Sequence, residues 1–310
     1  QNYFTTICNI SNLSTRSTAW MLVSQVFKVM LAVAFIYFFY RNYKARVYSE
    51  FIVVTVMTLL ILVFYFRDYI GFPRWKKLDS QIYKYSYSFI PIALSGFILT
   101  YIDSIIINIY KGNAETGVYA FAYKIAIIYS TLTVGYVTAN KPKMFELMNQ
   151  NETVEVQKNF TSLFKIVMAA SCFFILFAEN IGMLLSQQEA FDKSLYLLPV
   201  LIIAYVILDF NEMCNFYIYY SKKIKYFYIS VLVGCILNII FNIIFVPKYG
   251  YIASAYLTVL THLFIFLLNY YICVKVLKAP IVRFSVILKN ILVLCTIVAI
   301  YYFLTATSLN

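Results

Sequence analysis

Apolar residues in this chain gather in long unbroken runs, without the alternation of a half-buried strand. Ile52–Phe66 and Ile291–Leu304, for example, contain no charged residue at all. A helix of roughly 20 apolar residues crosses a hydrocarbon core about 30 Å thick. Runs of that kind predict about nine spanning helices. They lie near residues 18–40, 48–66, 86–110, 116–140, 160–185, 194–220, 226–246, 251–274 and 285–304. Backbone groups in lipid must satisfy one another, which leaves helices or closed barrels. Barrel strands would show a period of two, and these runs do not, so the pattern predicts an all-α polytopic membrane protein. The longest hydrophilic connections are Arg67–Lys84 and Lys141–Asn159, too short for a soluble domain.

Composition sharpens the class. Hydrophobic residues make up 63% of the chain and charged ones 12%, with a mean hydropathy of +0.79. Soluble domains carry about a quarter charged residues, so a water-exposed surface cannot be built from this chain. The net charge of +12 invites a nucleic-acid reading, but the charges lie between apolar runs and form no soluble basic module. Counted by loop parity, one side of the membrane holds about 17 Lys and Arg and the other about 6. The richer side is therefore expected to be cytoplasmic, with the N-terminal segment inside and Asn310 outside. Tyr (30) and Phe (28) crowd helix ends, as at Tyr37–Tyr43 and Tyr217–Tyr220, where they suit interfacial anchoring.

Catalytic and cofactor signatures are missing from the sequence: there is no P-loop, GxSxG, HExxH or GxGxxG. The six cysteines (Cys8, Cys172, Cys214, Cys235, Cys273 and Cys295) stand singly, mostly in apolar runs. Neither a disulfide framework nor a metal site is expected from that spacing. The sequence thus predicts no enzyme, no cofactor, no metal and no nucleic-acid partner.

Ionisable residues at bilayer depth cost about 2.5–3.5 kcal/mol each on insertion scales, so each is a candidate for function. Here they are Lys28, Asp103, Lys124, Asp209, Glu212 and His262. Asp103 and Lys124 lie at similar distances on either side of a turn near Asn113, both roughly 15 Å deep. Antiparallel helices would bring them together as a structural salt bridge or as a pair lining or gating a cavity. Asp209 and Glu212, three apart, share one helix face. Two carboxylates that close in low dielectric favour a shared proton, the chemistry of an H+ or Na+ coupling site and also of a wet helix end. Asn238 and Asn242, four apart, suit interhelical hydrogen bonding. His262 reaches a similar depth and has no second ligand at metal spacing. Pro91 with Gly96, and Pro199, are expected to interrupt their helices, as broken helices do around transporter cavities.

Three segments carry a family resemblance. Ser88–Asn113 (SFIPIALSGFILTYIDSIIINIYKGN) looks like the seventh helix of bacterial polysaccharide and O-antigen flippases. Glu115–Ile125 (ETGVYAFAYKI) is similar to the helix start that follows, and Pro142 matches the proline closing it. Asn238–Ala255 (NIIFNIIFVPKYGYIASA), with Pro247 and Gly250, resembles the N…N…P-x-x-G signature joining the eleventh and twelfth helices.

The resemblance implies the multidrug/oligosaccharidyl-lipid/polysaccharide exporter fold, a partial MATE-like two-bundle transporter lacking roughly four N-terminal helices. Residues 1–66 would end the N-terminal bundle, 67–84 would be a cytoplasmic linker, and 85–310 would form the six-helix C-terminal bundle with one extra helix. It implies flipping of a polyprenyl-diphosphate-linked oligosaccharide across the bacterial inner membrane by alternating access, for O-antigen, capsule or exopolysaccharide synthesis. Multidrug or lipid II export is the alternative, and a multi-span glycan polymerase or ligase a more distant one. Expected partners are the lipid-linked glycan, membrane lipid, a coupling H+ or Na+, and glycan polymerase machinery. Lys28 and Lys124 would meet the diphosphate, with Asp103 holding Lys124 until substrate competes. Asp209 or Glu212 would carry the ion, and Pro91, Asn238, Asn242, Pro247, Gly250 and His262 would serve packing or gating. The chain departs from the family at Ser104, where Arg is usual, and so lacks one expected cation.

Overall fold

A computed structural model describes residues 14–38, 43–65, 80–185 and 192–308. Every regular element among them is helical. The chain divides into two compact units, Gln1–Asp79 and Ser80–Asn310. In the first, α1 (Ser14–Phe38) and α2 (Tyr43–Tyr65) pack as neighbours, burying Ser24, Ala45, Ser49, Val53 and Met57. Lys28 Nζ lies 3.9 Å from Glu50 Oε1 between them. Most of the linker read at 67–84 falls outside the described residues.

The second unit comprises α3 (Ser80–Lys111), α4 (Asn113–Ala139), α5 (Lys141–Asn149), α6 (Thr153–Leu176), α7 (Ala178–Leu185), α8 (Asp192–Leu195), α9 (Leu198–Tyr220), α10 (Ile224–Tyr271) and α11 (Phe284–Ser308). Among the described residues, five stretches are long and apolar enough to cross a membrane: 113–149, 153–176, 198–220, 224–276 and 284–303. The outward faces stay apolar, with Leu184, Ile109 and Val154 all more than two-thirds exposed. In water such continuous patches would drive association; against lipid tails they are neutral. The fold is an all-α membrane bundle.

α9 is its axis. In its apolar window 83% of residues are buried, against 44% at most in the other four, and α4, α6 and α10 pack around it. Phe164 of α6 meets Phe210 edge-on at 4.6 Å, and Phe160 stacks near Phe216 and Tyr217. Because lipid is as apolar as leucine, such packing and hydrogen bonds, rather than escape from water, hold the helices together.

Prolines and glycines act differently from their sequence reading. α3 runs unbroken through Pro91 and Gly96. Pro199 sits in the first turn of α9, where its missing N–H has no intrahelical partner to lose; it opens that helix and interrupts nothing. Pro142 likewise opens α5, a short helix within the segment read as a hydrophilic connection. α6 begins at Thr153, seven residues before the apolar run, because its first turns bury Val156 and Phe160 while Glu155 and Lys158 stay in solvent. The break expected at 247–250 is present: Gly250 leaves helical geometry at φ 65°, ψ −155°, bending α10 into two limbs.

Candidate functional site

That bend shapes the main polar cluster. Positive φ favours glycine, and a Cβ on Gly250 would sit 2.6 Å from Glu115 Oε2. Glu115, in the first turn of α4, accepts a hydrogen bond from Tyr251 N at 3.4 Å. The acid thus ties the α3–α4 turn to the bend, and both limbs of α10 pack beside α3 and α4. Gly234 on the first limb packs directly against Ile265 on the second.

Between the limbs lies Asp103, only 2% exposed. Its Oδ2 accepts hydrogen bonds from Tyr119 and Thr258, each at 2.8 Å, and its Oδ1 accepts one from Asn242 Nδ2 at 3.0 Å. Asn242 in turn accepts from Ser254 Oγ at 2.5 Å, and Asn238 Nδ2 donates to Thr261 Oγ1 at 3.3 Å. The first limb contributes the two amides and the second the three hydroxyls, so the cluster clasps the limbs together. One acceptor is left over: Asn238 Oδ1 is buried with no hydrogen-bond partner among the described residues, and Asn238 also acts on the Asp103 carboxylate.

The pairing of Asp103 with Lys124 is therefore corrected. Tyr119, one turn nearer the α3–α4 connection, takes the place read for the lysine, and Lys124 lies on the exposed side of α4. Residues 119, 122, 126 and 129 share the buried face of that helix, and position 124 lies on its opposite side.

Asp209 and Glu212 share α9 but take different partners. Asp209 Oδ2 accepts from Tyr129 OH at 3.3 Å, while its Oδ1 has no partner among the described residues. Glu212 Oε1 accepts from Asn215 Nδ2 at 2.9 Å. Asn269 Nδ2, on the second limb of α10, donates to Asn211 Oδ1 at 2.8 Å and Asn215 Oδ1 at 3.4 Å. Its own Oδ1 is buried without a partner among the described residues. His262 Nδ1 lies 3.1 Å from the Ala204 carbonyl oxygen, pinning α10 to α9. No group of three or more His, Cys, Asp or Glu able to hold a metal occurs among the described residues.

The sequence reading found Asp103, Asn238, Asn242, Asp209 and Glu212. It missed Tyr119, Ser254, Thr258, Asn211, Asn215 and Asn269. The spacing of four between Asn211 and Asn215 repeats that of Asn238 and Asn242, and was the available signal.

No family model and no curated protein matches the chain. Solved structures do. A MATE in complex with MaL6 superimposes with a TM-score of 0.60 at 16% identity, and an outward-facing multidrug resistance MATE family transporter of the MOP superfamily with a TM-score of 0.61 at 16% identity. In both comparisons 86% of this chain is covered, but the chain spans only 64% of the other protein's length. These neighbours are transporters, and the superposition gives this chain the fold of a large part of a MATE transporter.

Proposed function

We propose that the chain is the ion-binding part of a cation-coupled exporter that works by alternating access, and that Asp103 carries the coupling Na+ or H+. The observation behind this reading is a buried carboxylate whose hydrogen-bond donors, Tyr119, Asn242 and Thr258, are neutral. Unbalanced charge inside a membrane protein is expensive and marks ion or proton pathways. The orphan Asn238 Oδ1 beside it supplies a further hard oxygen, the donor type that alkali cations favour. A cation there would neutralise Asp103 and hold the two limbs of α10 together. Its release would loosen them, which gives the ion a differential hold on two conformations.

Multidrug export is the reading that the fold neighbours favour, one of them being described as a multidrug resistance transporter. Flipping of a lipid-linked oligosaccharide is the second reading. It is favoured by the motifs around Asp103 and Asn238, and by an apolar groove of about 490 Å³ at the bend, lined by Phe241, Phe245, Tyr249, Tyr256 and Leu260. An exposed Lys124 at bilayer depth suits the diphosphate of such a substrate. Lysines at 141–143, 222–225 and 275–289 support a cytoplasmic position for their end of the bundle, as in a multi-pass bacterial inner-membrane protein.

Transport into inverted membrane vesicles tests the proposal, with ethidium and a polyprenyl-diphosphate oligosaccharide as the two cargoes under imposed Na+ or H+ gradients. Asp103→Asn keeps the side-chain shape and removes the charge; gradient-driven uptake should fall to background. Wild-type uptake by this variant under both gradients would overturn the assignment of Asp103. The cargo that moves decides between drug and glycan.

A further inference from the structure

A second polar cluster lies toward the other end of the bundle. Counting from Thr258 to Asn269, it is roughly 16 Å farther along α10, too far to belong to the Asp103 site. Asn211, Asn215 and Asn269 are 2%, 0% and 0% exposed. Their hydrogen bonds consume the Asn269 amide hydrogens and point the side-chain oxygens of Asn211 and Asn215 at them. Turning the Asn269 amide over would set its oxygen against those two oxygens, so the orphaned Oδ1 is the correct orientation. Glu212 joins through Asn215 and adds a full negative charge. Two residues before Asn211 along α9, Asp209 Oδ1 has no partner among the described residues either.

Two further features mark this end. Three residues beyond Asn269, α10 opens into a π turn at Ile272–Val276, a distortion that recurs at functional sites. Lys141, at the start of α5, rests over three rings, with its Nζ 4.2 Å from the Tyr219 centroid and 5.7 and 5.8 Å from those of Phe145 and Phe216. From there it acts electrostatically on Glu212.

We infer that Asn269, Asn215, Asn211 and Glu212 form a second alkali-cation site, a cytoplasmic station distinct from Asp103. Its candidate ligands are amide and carboxylate oxygens, a donor set for a hard monovalent cation. Glu212 provides the charge, and Asn269 Oδ1 provides a ligand that no described residue uses. Lys141 is a tethered cation parked on an aromatic perch at its mouth, weakening the hold on a free ion by like-charge repulsion. Between the stations stand Tyr123, Tyr205 and His262, with neighbouring rings 6.0 and 6.2 Å apart. The inference rests on the reading of the chain as cation-coupled, but it concerns different residues.

Radioactive 22Na+ binding to the purified chain in detergent, with choline chloride holding ionic strength constant, tests it. Wild type should bind two equivalents, Asp103→Asn one, Asn269→Leu one, and the double variant none. Should Asn269→Leu fail to fold, Lys141→Gln carries the test: the inner site should bind Na+ roughly threefold tighter with the nearby like charge gone. Two equivalents retained by Asn269→Leu, or unchanged affinity in Lys141→Gln, would overturn the inner site and leave Asp103 standing. Loss of one equivalent in Asn269→Leu with none lost in Asp103→Asn would leave the inner site standing and exclude Na+ from Asp103. No Na+ bound by wild type would overturn the inner station.

Discussion

The two polar clusters are built on different plans. Around Asp103, four stretches converge, namely α3, α4 and both limbs of α10, and each hydroxyl or amide has a directional bond to a neighbour. Around Asn269, only α9 and the second limb contribute side chains, and three amides share one donor group. The first is a clasp across a bend, in which losing one member strands several others. The second is a looser ring joining two straight helices. Density of bonding separates a site that sets the shape of the bundle from one that can exchange a ligand without reshaping it.

Removing a member that both donates and accepts should have the largest effect. Asn242→Leu takes a donor from Asp103 and the acceptor from Ser254 together, and should destabilise the purified protein by about 3 kcal/mol, read as a lowered unfolding midpoint in mild detergent. Membrane hydrogen bonds average nearer 0.6 kcal/mol, so a loss no larger than that would erase the contrast between the clusters.

Gly250→Ala strains the same clasp from outside. A Cβ at φ 65° and 2.6 Å from Glu115 Oε2 should cost about 2 kcal/mol. Adding Glu115→Ala should recover only part of this, since it relieves the contact but not the backbone. Full recovery in the same melting assay would show that the dihedral carries no strain. The smallest effect belongs to the inner end. Lys141→Ala removes a half-exposed ammonium from three rings and should lower the midpoint by about 0.5 kcal/mol; a loss several times larger would make Lys141 a structural member of the inner cluster.

How far the sequence disclosed these sites follows from what each residue type signals. Helices were legible because a run such as Ile52–Phe66 has no other use in a chain this apolar. The bend at Gly250 was legible because Pro247 and Gly250 punctuate an apolar run. Asp103 stood out because a carboxylate there is costly, and Asn238 with Asn242 because their spacing aligns them. Tyr119 and Thr258 were not legible. One tyrosine among 30 carries no mark, and a threonine on a membrane helix usually bonds its own backbone, as Thr55, Thr100 and Thr131 do. Lys124 was misplaced for a related reason: equal depth along two helices does not fix rotation about their axes. α5 was read as a connection because its nine residues, Lys141–Asn149, are too polar and short for a membrane signal, although Met144 and Met148 bury one stripe of it.

The bend in α10 has a mechanical consequence. Because Gly250 is the fulcrum and the amide–hydroxyl pairs Asn242–Ser254 and Asn238–Thr261 bridge the limbs beyond it, the helix behaves as tweezers whose tips are already pinched. Spreading them breaks the pair nearest the fulcrum and the farther pair together, so the angle has a closed setting and an open one with little between. An ion gripped near the pinch would then set the angle between the two limbs, converting the occupancy of one small site into movement of the limb ends farthest from Gly250.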